Sequence, residues 1–244
     1  MKDGSALQQW KSDQYALNKL YVHDFKNPLS VVMANLSYFE AILDPADEDA
    51  RAALDDSMMA LHQLLHMYEN FLRISQMEAG DMPPRSAVSV AQLVQAALER
   101  LQRVNAWPDA EILLCGDVPD ATCEWPIDCV RVALDNMLFT ALQHARSPKK
   151  VHFSVAIDDA ARHVVFACED NGIPIAAAHC DVSFERTFQP QAKHLAHARY
   201  GRAMAMYAIG LAAQACGGTA RAETSARQWP RIALVLPLSL PSSP

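Results

Sequence analysis

The stretch LYVHDFKNPLSVVMANLSYFEAIL, residues 20–43, decides how the first third of this 244-residue chain folds. Its apolar side chains recur every three or four residues, which predicts one long helix with a single apolar stripe. The stripe comprises Leu17, Tyr21, Phe25, Leu29, Val32, Leu36, Phe39 and Leu43. The segment HDFKNPL at 23–29 departs from it with polar side chains and Pro28. Because proline inside a helix costs about 3 kcal/mol, we interpret this segment as serving chemistry rather than stability.

A second amphipathic helix is predicted by the same spacing after the connection DPADEDA at 44–50. Its apolar residues are Leu54, Met58, Leu61, Leu65, Tyr68 and Leu72. The short connection, with its proline and capping acids, favours an antiparallel helical hairpin. Two helices alone cannot bury two full apolar stripes, whereas two copies can bury them in a four-helix bundle. The hairpin therefore predicts a homodimer.

The remaining two thirds of the chain predict an α/β sandwich. Helices are expected at 89–104, 126–146 and around 200–216, and strands at 111–115, 151–158, 163–170 and 231–238. Helices and strands in separate runs favour one mixed sheet covered on one face by helices. The predicted class is α+β, with the hairpin domain at 1–79, a linker at 80–88 that contains Gly80 and two prolines, and the sandwich at 89–244.

Composition excludes several functions. The net charge of −7 argues against a nucleic-acid partner, whose phosphates require a basic surface. No apolar run reaches the roughly 20 residues that span a bilayer, and the N-terminus is too polar for a signal peptide, so we expect a cytoplasmic protein without membrane contact. The six cysteines form no CxxC pair, which predicts free thiols and no bound metal.

The residues of HDFKNPL suit phosphoryl chemistry. A neutral imidazole such as that of His23 is a good nucleophile near pH 7. Asp24 could hold one tautomer of this ring and accept its second proton. Asn27 lies one helical turn after His23 on the same face, from where its amide could orient a water or a phosphoryl oxygen. Pro28 is expected to bend the helix beside this site.

Several motifs then follow in one order along nearly the whole chain. They are HDFKNPL (23–29), VRVALDNMLFTALQHA (130–145), DNGIPI (170–175), FERTF (184–188) and GRAMAMYAIGLAAQACGG (201–218). In this order they resemble the H, N, G1, F and G2 boxes of two-component sensor histidine kinases. The resemblance implies a dimerisation and histidine-phosphotransfer domain followed by an ATP-binding domain. It also implies that His23 is the phosphoacceptor and that Asp24 and Asn27 serve phosphotransfer and dephosphorylation.

The sequence departs from this family where ATP would bind. The family's N box has two asparagines four residues apart, and here Asn136 is followed by Thr140, whose hydroxyl could still coordinate magnesium. In the G1 box Asp170, the counterpart of the adenine-binding carboxylate, and Gly172 are kept. The second glycine of that box is missing, and the loop is two residues short.

The G2 box has lost more. Its usual G-x-G-x-G spacing has become Gly201, Ala203 and Ala205, and the segment before it contains no glycine. Glycines let backbone N–H groups approach phosphates closely and adopt positive φ, and each added methyl obstructs this. We therefore expect a degenerate ATP site and no bound cofactor.

Three functions remain open. The first is a phosphorelay protein that exchanges phosphoryl groups between His23 and the receiver domains of response regulators, with phosphatase activity as a variant. The second is a working autokinase that uses ATP and magnesium through Asn136, Thr140, Asp170 and Gly201. The third is a non-catalytic module that binds and regulates a receiver or a kinase.

Overall fold

The computed structural model describes residues 2–44, 47–104, 110–192 and 204–238. The side chains of residues 2–6, 16–17, 19–24, 103–104 and 192 fall outside this description. The chain divides into two compact units between Asp81 and Met82. Each unit is considered by itself.

The first unit is a helical hairpin. Helix α1 (Lys2–Ile42) continues through Pro28, and helix α2 (Glu48–Ala79) follows. Asp47 caps α2 by accepting a hydrogen bond of 2.9 Å from the backbone N–H of Ala50. Gly80 ends α2 at a φ of 75°, where glycine pays no steric cost. The predicted pair of helices is confirmed.

Side-chain contacts fix how α1 and α2 pair. The Asn18 amide donates to the Ser75 hydroxyl at 2.8 Å, and the rings of Phe25 and Tyr68 lie 5.3 Å apart. From one contact to the other the chain advances seven residues along α1 and retreats seven along α2. The two helices are therefore antiparallel and keep a constant register over two turns.

The second unit alternates helices and strands. Its strands are β1 (Ser86–Ser89), β2 (Glu111–Cys115), β3 (Thr122–Trp125), β4 (Lys150–Asp158), β5 (His163–Asp170), β6 (Thr219–Thr224) and β7 (Pro230–Pro237). Its helices are α3 (Val90–Val104), α4 (Ile127–His144), α5 (Ala177–Cys180), α6 (Gln189–Ala192) and α7 (Ala205–Ala215), with a 3₁₀ turn at Arg186–Phe188.

The main sheet has five strands in the order β2-β4-β5-β7-β6. Strands β2 and β4 are parallel and the other neighbours antiparallel, so the sheet is mixed. Burial alternates along β4, where Val151, Phe153 and Val155 are buried and His152 and Ser154 are partly exposed. Helices α4 and α7 pack on the buried face. The opposite face carries the partly exposed residues.

The core lies between this buried face and the helices. The rings of Trp125 on β3 and Phe166 on β5 meet edge to face, with centroids 6.1 Å apart. The indole N–H of Trp125 donates to the carbonyl of Pro237 at 3.0 Å, which satisfies it in a fully buried position. These contacts tie the small sheet formed by β1 and β3 to the main sheet.

The predicted α+β class, with an N-terminal helical hairpin followed by an α/β sandwich, is confirmed. The observed structure differs from the prediction mainly in its short strands. Strands β1, β3 and β6 were not predicted, and β1 begins inside the predicted linker. Four-residue strands such as β1 and β3 are too short for an alternating pattern to be read from sequence. In the described ranges, no helix combines the length and the apolar character that crossing a bilayer would require.

Candidate functional site

The HDFKNPL motif lies on α1 of the hairpin. The backbone of His23 and Asp24 is helical, whereas their side chains lie outside the described part of the structure. Asn27 and Pro28 are exposed. Phe25 is 50% exposed although its ring contacts Tyr68 on α2. The motif therefore presents its amide to solvent while its aromatic residue packs partly between the helices.

Helix α2 places the buried polar side chain of Asn70 at the level of the motif. By the register of the two helices, His23 lies level with Asn70, which is 3% exposed and lies 3.4 Å from His66 Nε2. One turn further on, the Ser75 hydroxyl donates to the Phe71 carbonyl at 2.9 Å. Neither Asn70 nor Ser75 was predicted. Ser75 falls three residues after Leu72 on the predicted apolar stripe, whereas Asn70 lies off that stripe.

The two N-box residues lie one turn apart on α4 and are both buried. Asn136 is 1% and Thr140 is 3% exposed. The Asn136 amide donates a hydrogen bond of 2.8 Å to the carbonyl of Val132 on its own helix. A magnesium ligand would be the Oδ1 atom of this amide, not the Nδ2 atom that makes this hydrogen bond.

Asp170 ends β5 and is 1% exposed. Its carboxylate accepts a hydrogen bond of 2.9 Å from the backbone N–H of Gly172, so the two retained G1 residues form one tight turn. The Lys149 ammonium donates to the carbonyls of Leu142 at 2.7 Å and Ala145 at 3.1 Å, at the end of α4. Burial lowers the pKa of Lys149, and the Asp170 carboxylate opposes this shift.

Asn171 holds the loop between α4 and β4. Its Oδ1 accepts from the N–H groups of Arg146 at 3.1 Å and Lys150 at 3.2 Å. Its Nδ2 donates to the carbonyls of Arg146 at 3.1 Å and Pro148 at 2.8 Å. All four hydrogen-bonding positions of the amide are used in this way. No local pattern in the sequence predicts this role, because the partners of Asn171 lie more than twenty residues away along the chain.

The G2 segment is described from residue 204 onward, so Gly201 and Ala203 lie outside the described residues. Met204 precedes α7 in the left-handed region, at φ 53° and ψ 30°, and gives the helix no side-chain cap. Ala205 is buried at the first helical position. A non-glycine residue at positive φ costs about 1 to 2 kcal/mol, so this helix start is strained.

The F-box segment packs closely on α7. A Cβ added to Gly210 would lie 2.9 Å from the Cβ of Phe184, so this glycine permits the contact. Gln189, 5% exposed, donates to the carbonyls of Ser183 and Glu185 at 3.0 Å each. The described part of this segment is therefore anchored. No cluster of His, Cys, Asp or Glu suited to a metal ion occurs among the residues that the structure describes.

Part of the second unit matches a known family. Residues 127–240 match the family described as histidine kinase-, DNA gyrase B- and HSP90-like ATPase. This segment contains the N, G1, F and G2 motifs and most of the main sheet. No curated protein matches the chain.

Solved structures of sensor histidine kinases share the fold. A mycobacterial sensor histidine kinase, MprB, is 19% identical with a TM-score of 0.53, over 64% of this chain and 99% of that chain. The ATP-binding domain of PrrB from Mycobacterium tuberculosis is 26% identical with a TM-score of 0.50, over 65% of this chain and 99% of that chain.

One further structure covers both units. Full-length ShkA in complex with AMPPNP is 18% identical with a TM-score of 0.64, over 95% of this chain and 47% of that chain. The resemblance to sensor histidine kinases that the motifs predicted is confirmed by these matches.

Proposed function

We propose that this chain is a phosphorelay protein of a two-component system, because residues 127–240 match the histidine kinase-like ATPase family and follow a helical hairpin in the chain. In this role His23 accepts a phosphoryl group from the receiver domain of one response regulator and donates it to another. The transfer is reversible and uses no ATP.

The observation that carries the proposal is the state of the N-box side chains. Both side chains are buried, with Asn136 1% and Thr140 3% exposed, and Thr140 stands where the family has its second asparagine. The alanines of the G2 box and the left-handed Met204 add obstruction where phosphates would approach α7. By contrast, all polar residues of HDFKNPL are retained on α1. The phosphoryl group therefore comes from another protein.

The chemistry needs few groups. A ring nitrogen of His23 attacks the phosphorus of the receiver's aspartyl phosphate, an N–P bond forms, and the P–O bond to the aspartate breaks. The aspartate leaves as a carboxylate, and Asp24 takes the proton from the other ring nitrogen. Asn27 orients a phosphoryl oxygen, or a water when the phosphohistidine is hydrolysed. Magnesium is carried by the acidic pocket of the receiver.

A second copy of the chain completes the hairpin. Phe25, Val32 and Phe39 recur every seven residues on α1 and are 45 to 53% exposed. Helix α2 adds an exposed apolar row of Leu64, Met67 and Phe71. Such rows at heptad spacing suit a four-helix bundle of two hairpins. Receiver domains would then dock on α1 beside the motif.

An ATP-dependent kinase is the second candidate. The observation that favours it is the intact turn in which Asp170 binds the Gly172 N–H, since this carboxylate is the adenine-binding group of the G1 box. In this case Asn136, Thr140, Asp170 and Gly201 would hold ATP and magnesium.

Transfer of labelled phosphate distinguishes the two candidates. Purified protein is incubated with magnesium and either γ-labelled ATP or a phosphorylated receiver domain, and acid-labile label on the chain is measured. We expect label from the receiver, none from ATP, and loss of label in His23→Gln but not in the control His62→Gln. Label from ATP on His23 would establish the kinase, and label that persists in His23→Gln would overturn both candidates.

A further inference from the structure

A cavity of about 180 Å³ opens on the face of the main sheet that α4 and α7 leave uncovered. Its lining residues are Cys115, His152, Ser154, Glu169, Ser225, Ala226 and Arg227. They come from β2, β4, β5 and the β6–β7 turn, residues 225–229. The turn folds over β4, because the Trp229 ring lies 5.0 Å from the His152 ring. None of these residues belongs to the kinase motifs.

The cavity contains a cation without an acidic partner. Arg227 contacts the Nδ1 atom of His152, and its guanidinium lies 5.8 Å from the centre of the Trp229 ring. Within the described ranges, it forms no ion pair with a carboxylate. Both of its contacts are to uncharged groups, since burial and Arg227 itself lower the pKa of His152. A ligand carboxylate is the group that this guanidinium binds best.

A second donor points to the same ligand. The Ser225 Oγ atom is buried and has no hydrogen-bond partner, although Ser225 lines the cavity. A buried hydroxyl without a partner costs about 1 to 3 kcal/mol, and a ligand oxygen would remove this cost. The backbone of Ser225 closes the turn, with its N–H bonded to the Trp229 carbonyl at 2.7 Å. The hydroxyl is therefore held in place before any ligand arrives.

Glu169 gives the cavity an anionic side. On the same face, Glu169, Arg231 and Glu223 form one row across β5, β7 and β6. Arg231 is shared between Glu169 at 3.6 Å and Glu223 at 2.5 Å, so two carboxylates share one guanidinium. The row keeps an excess negative charge next to the cavity, which repels a plain anion and attracts an ammonium group.

We propose that this cavity binds a small zwitterion of the α-amino acid type. Its carboxylate pairs with Arg227 and the Ser225 hydroxyl, and its ammonium group pairs with Glu169. The volume equals that of about six water molecules, which suits an amino acid and is smaller than a nucleotide site. The ligand would bridge the β6–β7 turn and strand β4. Signalling by this protein would then depend on the concentration of a metabolite.

Binding is tested on the full chain by thermal unfolding with each proteinogenic amino acid at about 10 mM, which nearly saturates a site with a Kd of about 1 mM. Acetate, methylammonium and inorganic phosphate serve as single-charge probes. We expect at least one amino acid to raise Tm and all three probes to leave it unchanged. No shift with any amino acid, or an equal shift with acetate or phosphate, would overturn the proposal.

Variants then locate the site by calorimetric titration with the amino acid that binds. Arg227→Met and Ser225→Ala should each raise Kd at least tenfold, whereas Arg221→Met, which removes a charge from β6 outside the cavity lining, should not. Ser225→Ala removes a hydroxyl without a partner, so its free protein should unfold no earlier than the wild type. An unchanged Kd in both cavity variants would place the ligand elsewhere.

Discussion

At the scale of single residues, the proposed role of Asn27 predicts different effects on two reactions of phosphorylated His23, transfer to a receiver aspartate and hydrolysis. It is exposed on α1 one turn after His23. Transfer between histidine and aspartate needs the nucleophile, whereas hydrolysis also needs a positioned water. We expect Asn27→Ala to slow loss of phosphate from His23 at least tenfold and to leave acceptance from a receiver within about twofold. The decay of labelled protein measures the first rate, and equal slowing of both reactions would contradict the assigned role.

Asn171 gives a structural prediction at the same scale. Asn171→Ala removes four hydrogen bonds from the loop between α4 and β4. Each bond contributes about 0.5 to 1.5 kcal/mol net of water, and because the amide is partly exposed the total should lie near the lower end, at about 2 to 3 kcal/mol. Asn171→Asp keeps the two accepting positions but turns a carboxylate oxygen toward the carbonyls of Arg146 and Pro148, so it should cost at least as much as Asn171→Ala. Urea unfolding measures both, and a smaller cost for Asn171→Asp would show that the donating positions contribute little.

At the scale of elements, α3 is fastened to α4 by one ion pair. Arg100 binds Asp135 through Nη2 at 2.7 Å and through Nε at 3.2 Å to both carboxylate oxygens. Burial raises the pKa of Asp135, and the Arg100 guanidinium opposes this shift. The Arg100 guanidinium is therefore the main group that favours the ionised form of this carboxylate, and Asp135 immediately precedes the N-box Asn136.

Removing Arg100 should loosen this helix pair. Arg100→Met keeps the apolar stem and leaves the carboxylate without its main partner, at an expected cost of about 1 to 2 kcal/mol for a partly exposed pair. Arg131→Met is the matched control, because the pair of Arg131 with Asp128 is more exposed and spans 3.5 Å. It should cost less than about 0.5 kcal/mol. Similar costs in chemical denaturation would show that the bidentate geometry does not matter.

The elements also show what sequence could predict. Long helices and the β4–β5 hairpin followed from apolar periodicity, which averages over many residues. The H, N and G1 motifs could be recognised because each is local, and the roles predicted for their residues remain predictions. Asn70, Asn171 and Lys149 were missed, since their roles arise from contacts between elements that are distant in sequence or from burial that no local pattern specifies. The predicted roles of His23 and Asp24 remain predictions.

At the scale of the whole molecule, the exposed apolar row on α1 predicts self-association. Phe39→Glu places a carboxylate in the row that we assign to the dimer, and burying it unpaired costs several kcal/mol. We expect the dimer Kd to rise about a hundredfold or more. Tyr38→Glu, one residue away and 62% exposed, should change it less than about threefold. Sedimentation equilibrium measures both, and a monomeric wild type would contradict the bundle.

Stability should depend on pH through the partly buried His62 and His152. Burial lowers the pKa of both His62 and His152 below the usual 6.5, and Arg227 adds to the shift at His152. Above pH 6.5 these rings are neutral in the folded and unfolded chain. Below it the unfolded chain binds protons that the folded chain resists, so stability falls as pH drops from 6.5 toward the lowered pKa values.

The check is the urea midpoint between pH 7.5 and 5.5. It should fall with pH in the wild type and fall less steeply in His62→Gln and in His152→Gln. An unchanged slope in both variants would assign the pH dependence to other groups.

Strand β2 affects how separate molecules of this protein interact. It lies at the end of the main sheet's strand order, where Leu113 and Leu114 are 42% and 43% exposed. An edge strand with exposed leucines can pair with a strand of another molecule, and a high protein concentration favours this pairing. At high concentration this protein should therefore aggregate through β2, and Leu113→Lys should reduce the turbidity of such solutions.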